Sequence, residues 1–179
     1  MAIRELVEHL HNKEKRVQSD CIKVLSEIGY LKPALIAEYV DDFLPLLTSR
    51  NNRLVWGAMI ALSTIAELRA NEMFASRDRI MKAVEEGSVM TVDAGINALF
   101  GVAATDTTYN TTLFPYLLER LRLCRPKSVA QYAESIFLAV TKENTQQYLN
   151  VLNVRKSIVK PSQLKRIEKV EKRVQSIIK

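Results

Sequence analysis

The chain has 179 residues, of which 47% are hydrophobic and 26% charged, enough for one globular domain with a core of its own. Five glycines and five prolines are too few for the turns of a β-sandwich or barrel. The two cysteines cannot form a disulfide framework, so a reducing, cytoplasmic setting is expected. The opening residues carry acids where a signal peptide needs basic and then apolar residues. The most apolar stretch, 55–66, is too short and too interrupted by Ser and Thr to span a bilayer.

Apolar-periodic stretches follow one another in pairs along the chain. Residues 3–10 precede 17–29, 35–47 precede 54–66, 74–84 precede 91–102, and 113–123 precede 129–140. The second stretch of each pair repeats with a fixed period. Leu25, Leu62 and Leu99 are spaced by 37 residues. Cys21, Ala58 and Gly95 lie four positions earlier, Ile28, Ile65 and Val102 three positions later, and Val17, Leu54 and Thr91 eight positions earlier. A fourth copy, Val129, Ala133, Phe137 and Val140, fits with one extra residue. Spacings of four, four and three trace one stripe of a helix. Polar turns at 48–52 and 85–88 separate the stretches, with Asn52 and Ser88 as expected N-caps and 105–112 as a polar loop carrying the sequon at Asn110. Residues 145–154 read as a fifth first helix, and Pro161-Ser162 opens a last one to about Ile178.

A helix pair every 37 or so residues cannot bury its stripe alone, but a stack of pairs builds a continuous core. The run from Val17 to Gly29 resembles the second helix of a HEAT repeat, as does Leu54 to Ala66, and Phe43-Leu44-Pro45-Leu46-Leu47 resembles the first helix, where proline is common. The resemblance covers residues 1–141 and implies an all-α fold, a right-handed HEAT/armadillo-like superhelix of about five helix pairs. The expected pairs are about 1–29, 33–68, 72–104, 111–141 and 145–178, in a single domain over 1–179. HEAT repeats usually carry an Arg after the first apolar position of the second helix; here Gln18, Val55, Val92 and Ala130 stand there.

At 100° per residue the second helices present further faces. Ile22, Val55, Met59, Val92 and Ile96 lie on one flank; Asp20 and Glu27, then Gly57 and Thr64, then Ala94 and Gly101 lie on the other. Small flanks facing bulky ones allow the helices to stack. The charged flank of the first copy reads as an N-terminal cap, and thus a complete solenoid. Away from the core lie Ser19, Lys23 and Ser26; Trp56, Ile60 and Ser63; Asp93, Asn97 and Phe100; Gln131, Ser135 and Leu138, with Arg16 and Arg53 at the start of the face. The resemblance makes this face concave, and Arg16, Lys23, Arg53, Trp56, Ile60, Asp93, Asn97, Phe100 and Gln131 the candidate groove for a peptide or protein partner. Trp56, the sole tryptophan, is either an exposed anchor or packing between neighbouring helices.

No catalytic or metal-ligating pattern stands out. His9 and His11 cannot both face one way on a short helix, and neither Cys-x-x-Cys, a phosphate loop nor a nucleophile elbow occurs. HEAT-like hydroxylases use several His-Glu pairs that this chain lacks. No catalytic residue, metal or cofactor is expected. The alternative function is nucleic-acid binding. HEAT-like alkylation-repair glycosylases place an acid and aromatics on a basic concave face, and Asp93 and Trp56 share that face, but Val89 stands where such enzymes carry an aromatic. The basic end of the chain is the other route. Nine Lys/Arg from Arg155 onward meet only Glu168 and Glu171, a local +7, whereas the first 154 residues sum to −1. The stripe Leu164, Ile167, Val170, Val174 and Ile177/Ile178 makes this segment a docked cap first and an anionic surface-binding helix second. Cys21 reads as a small buried side chain.

Overall fold

The computed structural model describes residues 2–178, the side chain of Ile178 excepted, so the roles expected of Ile178 and Lys179 in the last helix lie outside the described residues. Eleven α-helices and short 3₁₀ turns follow one another, with no strand among the described residues. The helices are α1 (Ala2–Glu8), α2 (Lys15–Leu31), α3 (Val40–Phe43), α4 (Asn52–Ile65), α5 (Ala70–Ala75), α6 (Arg77–Glu86), α7 (Val89–Ala103), α8 (Thr107–Leu123), α9 (Val129–Ile136), α10 (Thr145–Arg155) and α11 (Pro161–Ile178). Helices α2, α4, α7, α9 and α11 stack on one another in chain order, and each packs against the first element of its own pair. The first element of the second pair is a chain of 3₁₀ turns around α3, because Pro33 and Pro45 deny it two backbone donors.

The 37-residue stripe is the centre of the core: Leu25, Leu62 and Leu99 are all buried. In the fourth copy the unbroken period lands on Ile136, also fully buried, and not on the expected Phe137. Helix α9 gives way to a 3₁₀ turn at Phe137–Ala139, and the Phe137 ring turns outward to lie 4.2 Å beneath the Arg173 guanidinium.

The flanks fit by size. A Cβ placed on Gly57 would lie 2.8 Å from Ile22 Cγ1, and one on Gly101 2.9 Å from Ala66 Cβ. The same relation recurs one repeat earlier, where a Cβ on Gly29 would meet the Thr64 side chain. Gly95, at the small core position, approaches Val84 of α6 so closely that a Cβ would stand 2.3 Å from Cγ2. Cys21 is buried at the equivalent position, and burial, then the Asp20 charge, push its thiol above the usual range. Asp20 and Glu27 face solvent.

The polar joints differ in detail from the expected ones. The cap of α4 is Asn51, not Asn52: the Arg53 amide donates to its Oδ1 at 3.1 Å, while its Nδ2 donates to Gln18 Oε1 at 3.2 Å and so ties α2 to α4. Ser88 caps α7 as expected, accepting from the Thr91 amide. Residues 107–112 are not a loop but the first turns of α8. Asp106 Oδ1 accepts from the Thr108 amide at 2.7 Å, and the Thr111 and Thr112 hydroxyls donate back to Thr107 O and Thr108 O, so the polar side chains are satisfied within the helix. Asn110 is buried there. Its Nδ2 donates to Ala139 O at 2.7 Å and Ala103 O at 3.2 Å, and its Oδ1 accepts from Asn144 Nδ2 at 3.0 Å, joining three pairs.

Helix α11 docks on α9 through Ile167, Val170 and Val174, all buried. Arg166 Nε donates to Glu134 Oε1 at 2.8 Å, holding that carboxyl below the usual range, and Lys156 Nζ meets Glu171 at 2.7 Å. Tyr148 of α10, fully buried, donates its hydroxyl to Ala133 O of α9.

Two outcomes follow from this packing. Gly57→Val and Ala58→Leu should each lower stability by about 1–3 kcal/mol through overpacking, while Asp20→Ala and Glu27→Ala change it by no more than about 0.5 kcal/mol, all read from urea unfolding curves. Removal of residues 161–179 should uncover the α9 surface and give aggregates in light scattering; a truncated chain that stays monomeric with an unchanged midpoint would contradict the docked arrangement.

Candidate functional site

The face of the second helices turned away from the core is the floor of the candidate site. Lys23, Arg16, Arg53 and Gln131 are exposed on it, and Trp56, Ile60, Asp93, Asn97 and Phe100 are half-buried. Ser19 and Ser26, expected on this open face, are buried instead. Their hydroxyls fold back onto Lys15 O and Lys23 O at 2.7 and 2.8 Å, so small side chains at the start of the stack are covered where longer ones would project. Ile60 and Phe100 rest on the edge of the core.

Asp93 is not a free carboxylate. Tyr132 of α9, buried itself, donates its hydroxyl to Asp93 Oδ1 at 2.8 Å. Burial, then this bond, raise the Tyr132 hydroxyl well above the phenol range. The pair crosses from one second helix to the next and leaves Asp93 one oxygen for a ligand. Among the described residues no group of three or more His, Cys, Asp or Glu side chains is placed to hold a metal. None of the described helices is long and apolar enough to cross a membrane.

A groove of about 560 Å³ opens at the C-terminal ends of these helices. Gly29 and Tyr30 come from the end of α2 and Pro33 from the turn after it, Ser63 and Thr64 from the end of α4 and Ala66, Glu67 and Leu68 from the turn after it, Asn97, Phe100 and Gly101 from α7, and Ser135 from α9. It thus runs across four consecutive second helices. Of the nine expected site residues it contains Asn97 and Phe100; the other seven lie outside its lining. Tyr30, 64% exposed, and Leu68, 54% exposed, stand on its walls. Sequence reasoning missed both, because the face arithmetic stopped where each helix was expected to end. A signal existed: Leu31 and Leu68 share the 37-residue period off the core stripe, and both are exposed.

No protein-family model matches the sequence, and no curated protein matches it. Solved structures do. An engineered protein superimposes with a TM-score of 0.72 at 18% identity over 99% of this chain and 79% of its own. The designed armadillo repeat protein YIII(Dq)4CqI does so at 0.69 and 12% identity over 98% of both chains. The fold is a HEAT/armadillo-like α-solenoid. Kap121p matches it at 0.72 and 19% identity, this solenoid spanning 99% of its own length and only 19% of that chain. Identities this low carry the architecture and not the occupant of the groove.

Asp93→Ala should cost the solenoid about 1–3 kcal/mol by orphaning the buried Tyr132 hydroxyl. Asp93→Asn should cost less, since an amide oxygen still accepts. Urea midpoints of the two variants check the order, and a costless alanine would mean the pair is not formed.

Proposed function

We propose that this solenoid is a non-catalytic protein-interaction module that lays an extended segment of a partner along its second helices. The observation that carries the reading is the groove across four consecutive repeats, with Phe100 and Asn97 in its lining and Tyr30 and Leu68 raised on its walls. The remaining candidates, Arg16, Lys23, Arg53, Trp56, Ile60, Asp93 and Gln131, extend the same face away from the groove and would take the next residues of the ligand. Aromatic and apolar side chains that are half-open on such a face gain burial on binding, as anchors of an interface do. Kap121p, which shares the fold, has been crystallised bound to Pho4p and to Ste12p. Both cysteines are free thiols, in keeping with a cytoplasmic setting. The groove lining has one side chain charged at neutral pH, Glu67, and no cation to meet a phosphate backbone.

The test is a peptide-display selection against the full-length chain, followed by fluorescence anisotropy of a selected peptide. Phe100→Ala and Trp56→Ala should each weaken binding by about 30- to 1,000-fold, Trp56→Ala without moving the unfolding midpoint and Phe100→Ala with only the partial loss expected of a ring at the edge of the core, and acrylamide quenching of Trp56 fluorescence should fall on binding. The peptide complex should respond weakly to salt, whereas a phosphate-driven complex with a DNA oligonucleotide loses affinity with a log–log slope of about −0.9 per neutralised phosphate. Selected peptides indifferent to both variants, or unfolding of Trp56→Ala by the roughly 3–5 kcal/mol of a buried tryptophan, would overturn the assignment of this face.

A further inference from the structure

The opposite side of the stack, where the first helices lie, carries a second cavity of about 410 Å³ between α8 and α10. Its chemistry differs from that of the groove. Leu118 and Val151, both buried, form the base, and Val154, 71% exposed, stands in the wall. Arg122, Arg155, Gln147 and Asn150 supply the polar side chains. An exposed valine over a buried Leu-Val base is a place where an aliphatic side chain would gain burial.

The guanidinium of Arg155 makes the site cationic and incompletely satisfied. It donates through Nη2 to the Cys124 carbonyl, and its Nε is buried with no hydrogen-bond partner. No carboxylate among the described residues pairs with it. Arg122 has Glu119 at 3.1 Å, but its side chain stays more than half exposed. Arg120 and Arg125, two and three residues to either side of Arg122, also lack a carboxylate partner among the described residues, and Arg120 Nε is likewise buried and unpartnered. A guanidinium partly shielded from water without a counter-charge leaves hydrogen-bonding capacity unused, and a carboxylate with a matching fork takes it up.

From this juxtaposition of an apolar base with two arginines we propose that the α8–α10 cavity is a second interaction site, specific for an acidic-aliphatic peptide segment. An aliphatic side chain of the ligand sits on Leu118 and Val151 against Val154, and a neighbouring Asp or Glu carboxylate accepts from Arg122 and Arg155. A free phosphate would satisfy the arginines but leave the apolar base empty. The lining also lacks the aromatic side chains on which the bases of a nucleic acid would stack.

The experiment uses the full-length chain and fluorescein-labelled octapeptides in which Glu or Asp alternates with Leu, Ile or Val, beside the same peptides with Gln and Asn in place of the acids. The acidic set should bind and the amide set should bind at least about tenfold more weakly, the difference expected of a charge-assisted hydrogen bond. Arg122→Glu and Val154→Asp, both at exposed positions that leave the core intact, should each weaken the acidic peptides by a similar factor. Phe100→Ala should leave them unchanged, which separates this site from the groove. Equal binding of acidic and amide peptides, no binding of either, or indifference to both variants would overturn the proposal. So would displacement by millimolar inorganic phosphate, which would make the site a simple anion hole. A concentration-dependent dimer abolished by Val154→Asp would overturn it as well, by making a second copy the occupant.

Discussion

The arrangement rests on the distance between neighbouring second helices, and that distance is set by side chains that are missing. Where α2 meets α4, Ile22 fills the space that a Cβ on Gly57 would need, and where α4 meets α7, Ala66 does the same at Gly101. The backbone does not require these glycines, since no described glycine has a positive φ; they are there for room. Close approach turns dispersion between helices into many short contacts, and an interior packed this tightly resists even a methylene. The Gly29–Thr64 contact recurs 37 positions further on as Ala66–Gly101, so one local size rule is used again along the stack.

The same rule shapes the groove. Gly29, Thr64 and Gly101 both permit the close approach of α2, α4 and α7 and line the cavity at their C-terminal ends. Ser63 and Ser135 continue the run of small side chains across α4 and α9. A floor of small residues with Phe100, Tyr30 and Leu68 around it is a by-product of stacking that offers a ligand apolar area and open space together. Nearer the N-terminal ends the helices carry Trp56 and Ile60, and the face is fuller there. The position of the opening therefore follows from where the sequence is small, not from any residue placed for chemistry.

The architecture was legible because it is written in side-chain volume at a fixed period. Leu25, Leu62 and Leu99 mark the core, and the stripe Ile167, Val170 and Val174 marks the docked face of α11. What escaped was decided by partners far along the chain. Asn110 belongs to a helix because Ala103, Ala139 and Asn144 satisfy it, and a run of Thr and Asn shows nothing of that. Ser19 and Ser26 look like floor residues by angle, but a short hydroxyl that bonds its own helix does not reach the surface. Phe137 followed the expected period with one residue inserted, whereas the helix ended and Ile136 took the place without an insertion. The groove was half legible: Asn97 and Phe100 follow from angle alone, while Tyr30 and Leu68 depend on where the helices stop.

Charge obeys a different logic from size, because it can be satisfied by structure or left for a partner. Much of the local +7 at the C-terminal end is structural: Arg166 is taken by Glu134, Lys156 by Glu171, Arg173 by the Phe137 ring, and Arg155 by the Cys124 carbonyl. The exposed lysines at 160, 165, 169 and 172 are left to water, where each keeps its hydration and contributes solubility at little cost in stability. The half-buried guanidinium of Arg155 is in the opposite position, held by a carbonyl that offers a dipole but no counter-charge. Exposed basic residues outnumber it, yet the incompletely compensated cation has the larger free energy to gain from an anion. What a charge has left to offer a partner is thus set by how completely it is already paired, and a count of lysines and arginines says little about it.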